Sequence, residues 1–122
     1  MTDQLQGETC KELQAALDII SGKWKPIILF HLMENENLRF SELQRAIPEI
    51  TKKMLTSQLR ELEYNGIIHR EVYQQVPPKV EYSMTEYGDS LTPLMKSMRS
   101  WGMQHLERME KIEEENKEAT TN

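Results

Sequence analysis

The sequence predicts a mainly α (α+β) fold in which a helix-turn-helix precedes a two-stranded β-hairpin and a long C-terminal helix. Three patterns indicate it: two helical segments around a three-residue turn at 48–50, an alternating β-branched stretch over 67–84, and an apolar stripe at helical spacing after Thr85. With 122 residues, the chain suffices for one domain and one modest core. We expect that core to span about residues 10–112, with frayed termini.

Three helices are predicted before the turn. The first has apolar residues along one face and ends near Ser21-Gly22, since glycine favours the left-handed conformation that terminates helices. The second runs from about Lys23 to Met33, with Pro26 in the first turn, where its missing N–H loses no hydrogen bond. The third opens at a capping box, Ser41-Glu42-Leu43-Gln44, in which the serine bonds forward and the glutamine bonds back.

The helix after the turn is longer. Thr51 is a good N-cap for it, and Asn65-Gly66 ends it. Its leucines, at 55, 59 and 62, fall within about 60° of one another on a helical wheel and form the core face.

The C-terminal half begins with the hairpin. Residues 67–73 and 79–84 are the strands, and the turn lies at 74–78. Thr85 is expected to cap one long final helix that Pro93 kinks early and that frays from Glu113 onward.

Charge is unevenly distributed along the chain. The net charge is −5, but residues 39–79 carry seven basic and five acidic residues, a local net charge of +2. Any anionic partner should therefore bind the middle third.

The outward face of the second helix of the helix-turn-helix fits double-stranded DNA. Lys53, Thr56, Ser57 and Arg60 lie opposite the leucines, and such side chains suit base edges and phosphates. Lys52 and Lys53 stand in the first turn, where the helix dipole disfavours positive charge unless an anion approaches. The predicted DNA contacts are Thr51, Lys52, Lys53, Thr56, Ser57 and Arg60, with Gln74, Gln75 and Lys79 from the hairpin. The alternatives are a solvated helix face and a winged-helix protein-interaction module that does not read DNA.

The final helix carries more apolar surface than a small domain easily covers. A helix of roughly 25–30 residues reaches about 40 Å, beyond the body of such a domain. We therefore expect a homodimer, whose two-fold symmetry suits an inverted-repeat operator, and a methionine-lined seam that could accept a small-molecule effector. The predicted interface residues are Leu13, Leu17, Leu94, Met95, Met98 and Trp101.

The ordered motifs resemble those of the HxlR-type winged-helix regulators, a bacterial branch akin to the MarR proteins. The resemblance runs from about Ala16 to Gly102. It implies a winged helix-turn-helix domain, a dimer built from the terminal helices, operator binding in the cytoplasm, and the hairpin around Pro77-Pro78 as the wing. The motifs are GKW at 22–24, RFSEL at 39–43, ITKKMLT at 50–56, LRELE at 59–63, VPPKVEY at 76–82, Thr85, Gly88 and WG at 101–102.

Cys10 is a redox candidate, since several of the resembled regulators sense oxidants through a cysteine ahead of the first helix. That cysteine is usually followed by proline, whereas Lys11 follows here, so we expect that Cys10 is not the main switch. A weak zinc ligand or a merely small residue are the other interpretations. One cysteine, no signal peptide and no apolar run long enough for a membrane span favour the cytoplasm. Dispersed histidines and the lack of a phosphate-binding loop argue against an enzyme, a metal site or a cofactor.

Overall fold

The computed structural model describes residues 10–121; residues 1–9 and Asn122, part of the termini predicted to fray, lie outside the described residues. The chain divides into two compact units, one ending at Ser90 and one beginning at Leu91. The elements in chain order are α1 (Lys11–Ile20), α2 (Lys25–Glu34), β1 (Leu38–Arg39), α3 (Phe40–Ala46), α4 (Lys52–Tyr64), β2 (Ile68–Tyr73), β3 (Lys79–Met84), α5 (Glu86–Asp89) and α6 (Thr92–Thr121).

The core of the first unit is formed mainly by aliphatic side chains from helices α1 to α4, the loops that flank α4, and the start of β2, with one tyrosine from β3. The three leucines predicted for the core face of α4 are almost completely buried, which confirms the wheel. The buried apolar side chains are Ile20, Ile28, Leu29, Leu32, Leu43, Ile47, Ile50, Leu55, Leu59, Leu62, Ile67, Ile68 and Tyr82. Burial of one face of each helix against a shared core holds the helix-turn-helix together.

The predicted hairpin is present, and a third strand joins it. Strands β2 and β3 pair antiparallel with Ile68 opposite Met84 and Tyr73 opposite Lys79. β1 pairs with the other edge of β3, with Leu38 opposite Tyr82, so the strand order is β1-β3-β2. The sequence pattern missed β1 because two residues are too few to show alternation.

The two helices of the helix-turn-helix begin differently from each other. Thr51 caps α4 as predicted, since its Oγ1 accepts from the Met54 N–H at 3.1 Å. The prediction for α3 was wrong: the helix begins at Phe40, and Glu42 Oε1 accepts from the Arg39 N–H at 2.8 Å. The cause is β1, because pairing with β3 keeps Arg39 extended and the helix must start directly after it.

The single C-terminal helix predicted after Thr85 is two helices. Thr85 caps the short α5, where its Oγ1 accepts from the Gly88 N–H at 2.8 Å and donates to the Gly66 carbonyl at 2.6 Å. Its own N–H donates to the carbonyl of Ile67 at 3.1 Å, so α5 is tied to the start of β2. This corner, which we call the Thr85 corner, ends the first unit.

The second unit is the helix α6. Pro93 lies in its first turn rather than kinking it, because a proline without an N–H is best accommodated there. The helix also continues to Thr121, past Glu113, where fraying was predicted. Glu and Lys are good helix formers, and the pair Glu113 and Lys117 has the favourable i, i+4 order. Within residues 10–121, none of the helices is long and apolar enough to cross a bilayer.

Candidate nucleic-acid interface

The outward face of α4 carries the side chains that the sequence predicted. Lys53, Ser57 and Arg60 are exposed and follow one another at i, i+4 and i+7, opposite the buried leucines. Thr51 and Lys52 are also exposed at the N-terminal end, and Thr56 is half-buried at the flank. The outward stripe therefore presents two cations and a hydroxyl. The N-terminal end of α4 adds further hydrogen-bond donors, because the first backbone N–H groups of a helix have no partner within it.

One residue of this stripe was missed in the sequence. Tyr64 continues the spacing by one more turn after Arg60, and its side chain is 90% exposed. A tyrosine on a solvated surface exposes a large apolar ring together with a hydroxyl that can donate to phosphate. The helical wheel alone could have found it, since it lies between Lys53 and Ser57 in projection.

The acidic residues of the middle third are all engaged by partners. The carboxylates of Glu61 and Glu63, both on α4, bind Lys25 at 2.7 Å and Arg70 at 3.2 Å. The other three contacts are Glu42 to the Arg39 N–H, Glu49 to Lys23 at 3.9 Å, and Glu71 to His69 at 2.7 Å.

The basic residues of the stripe and of the N-terminal end of α4 differ from these acids, because they have no charged partner within the described part of the chain. Lys52, Lys53 and Arg60 form no ion pair with any of residues 10–121. Because Lys25 and Arg70 neutralise the two acids of α4, the charge that this helix presents outward is positive although the whole chain is acidic.

The hairpin presents a largely uncharged tip. Gln74, Gln75 and Val76 are exposed at the turn. Lys79 is instead the first residue of β3, half-buried, with its Nζ 3.1 Å from Glu81 Oε1 and 4.9 Å from the centre of the Tyr73 ring. Lys79 therefore differs from the two exposed glutamines, because its charge already has a carboxylate partner on the same strand.

Tyr82, the central strand's buried tyrosine, pairs with Leu38 on one side and with Arg70 on the other. Burial is the main cause that raises the pKa of its hydroxyl above the ordinary 10.0. The negative charge of Glu63 adds to this shift, whereas the positive charges of Arg70 and Arg60 oppose it.

The predicted interface residues present apolar surface in each unit. In the first unit, Leu13 and Leu17 of α1 are exposed, and so are Ile27 and Phe30 of α2, which the sequence did not single out. In the second unit, Leu94, Met98 and Trp101 are exposed and Met95 is half-buried. Trp101 is 66% exposed and stacks on His105 with ring centres 5.1 Å apart; Leu106 and Met109 extend the stripe.

Cys10 is exposed and occupies the N-cap position of α1 with a left-handed backbone, φ 47°. Within residues 10–121, no group of three or more His, Cys, Asp or Glu side chains is arranged to hold a metal ion.

An outward-facing second helix, a short turn before it and an antiparallel hairpin after it define a winged helix-turn-helix protein, in which α4 is the recognition helix and β2–β3 the wing. Residues 19–110 match the HxlR-like helix-turn-helix family, and the chain belongs to it. It is a DNA-binding transcriptional regulator by family, not an enzyme.

Named relatives and solved structures agree with this assignment. The chain is 54% identical over 101 residues to the HTH-type transcriptional regulator YdeP of Bacillus subtilis strain 168, covering 83% of this chain and 78% of YdeP. It is similar to the redox regulator HypR in its reduced form, with a TM-score of 0.77 and 50% identity over 81% of this chain and 97% of HypR. For the oxidised form of HypR the TM-score is 0.72, with 53% identity over 76% and 95% of the two chains.

Proposed function

We propose that the chain is a single winged helix-turn-helix domain that acts as a cytoplasmic homodimer and binds an inverted-repeat operator through α4. One observation carries the proposal: the outward stripe of α4 has cations without carboxylate partners among residues 10–121, while both of its acids are paired. A helix that served only stability would have acids in its first turn, and α4 has Lys52 and Lys53 there. Phosphate or a guanine edge would satisfy those cations.

The side chains differ in what they would contact. Lys53, Ser57 and Arg60 face outward near the N-terminal and middle turns of α4 and would meet base edges in the major groove. Tyr64, Thr51 and Lys52 would bind the backbone at either end. Gln74 and Gln75 at the wing tip carry donors suited to a minor groove.

The test is to select DNA fragments with the purified protein and to titrate binding against salt. Arg60→Ala and Lys53→Ala should each cost about 1–3 kcal/mol on the selected site. Lys96→Ala, which removes an exposed cation from α6, is the matched control and should bind as wild type. Lys79→Ala should weaken binding less than Arg60→Ala, because Glu81 already occupies that ammonium group.

The same titration separates this function from the alternative, a winged-helix protein-interaction module. A module without DNA binding would select no fragment above background. Unchanged affinity in the Arg60 and Lys53 variants, with wild-type binding intact, would reject α4 as the reading element.

Dimer formation is supported by the exposed apolar faces of α1 and α6, described above for each unit. If those faces pack across a two-fold axis, the recognition helices would enter successive major grooves about 34 Å apart. Trp101→Ala should then cost on the order of 3–5 kcal/mol of association free energy. Tyr87→Ala, an exposed aromatic residue on α5, is the matched control. Sedimentation equilibrium at micromolar protein measures both, and a wild-type mass near one chain with tight DNA binding would defeat the dimer.

A second candidate function, redox control of DNA binding, is favoured by the likeness to HypR, which was solved in oxidised and reduced forms. Cys10 is the single cysteine of the sequence and is exposed, so a disulfide would have to join two protomers, with two thiols giving two protons and two electrons to the oxidant. Under this candidate a mild thiol oxidant changes operator affinity in wild type and not in Cys10→Ser, with a disulfide-linked dimer on a non-reducing gel. Equal responses would instead support the expectation that Cys10 is not the main switch and favour a small-molecule effector.

A further inference from the structure

Lys25 lies at a junction behind the recognition helix. Its side chain is only 12% exposed, and its Nζ is 2.7 Å from Glu61 Oε2 on α4 and 3.3 Å from the carbonyl oxygen of Asp18 on α1. One ammonium group thus contacts the last turn of α1 and the flank of α4 while it belongs to the first turn of α2.

Both contacts have a physical reason. The Asp18 carbonyl is one of the last four of α1, which have no partner inside the helix, and a cation is favoured at that end by the helix dipole. Glu61 supplies the carboxylate that pairs with this mostly desolvated ammonium group. Removing Glu61 would leave the largely buried Lys25 ammonium group without its carboxylate, whereas Glu61 is 52% exposed and water could solvate it if Lys25 were removed.

The position of Glu61 on α4 also allows its ion pair to fix the rotation of α4 about the helix axis. It follows Arg60 directly and lies one turn beyond Ser57, at the edge of the outward stripe. Glu63, at the other edge, binds Arg70 of β2, so the helix is held from both flanks. A rotation of α4 that moved its stripe away from DNA would have to break one of these pairs.

We propose that Lys25 is a positioning residue that holds the recognition helix to the end of α1 and thereby sets DNA affinity without touching DNA. This inference rests on the proposed function. Through its two contacts, the Lys25 side chain connects α1 to α4. Helix α1 follows Cys10 and carries the exposed Leu13 and Leu17.

The substitution Glu61→Gln should change DNA affinity in opposite directions under the two explanations, positioning of α4 and simple electrostatics. Deleting an acid beside a DNA-binding stripe, and freeing the Lys25 cation, should strengthen binding about twofold if charge alone matters. If the pair orients α4, the same substitution should weaken binding about tenfold, because contacts need to be held within about 0.5 Å.

The experiment measures affinity for a selected operator fragment in wild type, Glu61→Gln, Lys25→Met and the double variant. The double variant should bind no more weakly than either single variant, which is the signature of one shared interaction. Lys23→Met and Glu49→Gln are the matched controls, since that pair spans 3.9 Å and its side chains are 66% and 81% exposed, respectively. Neither variant should lose more than twofold in affinity. Binding of Glu61→Gln at or above wild-type affinity would overturn the proposal.

Two further variants keep the test decisive if a single substitution unfolds the protein. Glu61→Asp keeps the charge but shortens the reach, and should weaken binding while Lys25→Arg, which retains both contacts, should not. Equal affinity of Glu61→Asp and wild type would also overturn the proposal. If wild type binds no fragment at all, the proposed function fails and not merely this inference.

Discussion

Replacing Gly88 with alanine should destabilise the first unit by about 3 kcal/mol, because the added methyl group has no room. An ideal Cβ at this position would lie 2.0 Å from the carbonyl oxygen of Ile67 and 3.0 Å from the Met84 methyl carbon. Met84 can adopt another rotamer, but the Ile67 carbonyl is backbone and accepts from the N–H of Thr85, whose hydroxyl donates to the neighbouring Gly66 carbonyl. Relief therefore needs a backbone shift of about 1 Å that opens the Thr85 corner.

The magnitude combines two costs. Overpacking of this kind typically costs about 1–3 kcal/mol, and each weakened hydrogen bond of the Thr85 corner adds about 0.5–1.5 kcal/mol. Urea unfolding followed by circular dichroism, at one fixed protein concentration, measures the free energy of unfolding. Asp89→Ala, an exposed substitution in the same helix, is the control and should stay within about 0.5 kcal/mol of wild type. A loss below about 1 kcal/mol for Gly88→Ala would refute the steric reasoning.

Three further outcomes are expected from the fold. Burial of the Tyr82 hydroxyl raises its pKa, so the stability that it confers is fully present below pH 10.0 and is lost as the pH rises through the folded pKa. Alkaline unfolding should therefore be shallower in Tyr82→Phe and unchanged in Tyr64→Phe, whose hydroxyl is exposed. Thr85→Val should cost about 1–3 kcal/mol in urea unfolding, because the buried Gly88 N–H loses its acceptor; a wild-type midpoint would contradict this role. Gly66→Ala should lower thermal stability by about 1 kcal/mol, since φ is +75°, and Gly66→Asn should lower it less.

The helix-turn-helix could be predicted from the sequence because its signals are local. Thr51 and Gly66 bracket α4 through hydrogen bonds and backbone conformations that involve only neighbouring residues. The buried leucines and the outward Lys53 and Arg60 follow from helical periodicity, which holds wherever the helix packs. The hairpin followed similarly from alternation, and the motif order alone indicated the family.

Two of the predictions that failed did so because a distant partner decides the local structure. The start of α3 moved to Phe40 because β1 pairs with β3, and a two-residue strand has no pattern of its own. The final helix divided because Thr85 turns the chain back to the carbonyls of Gly66 and Ile67, a contact between segments far apart in sequence.

The candidate site shows the same division. Sequence alone determined which residues face outward on α4, because exposure there follows from the period of the helix. Only the tertiary structure decided which charges of α4 are free, because it pairs Glu61 with Lys25 and Glu63 with Arg70. Ion pairs between elements depend on distances set by the packing of a shared core, and periodicity along the chain does not contain those distances.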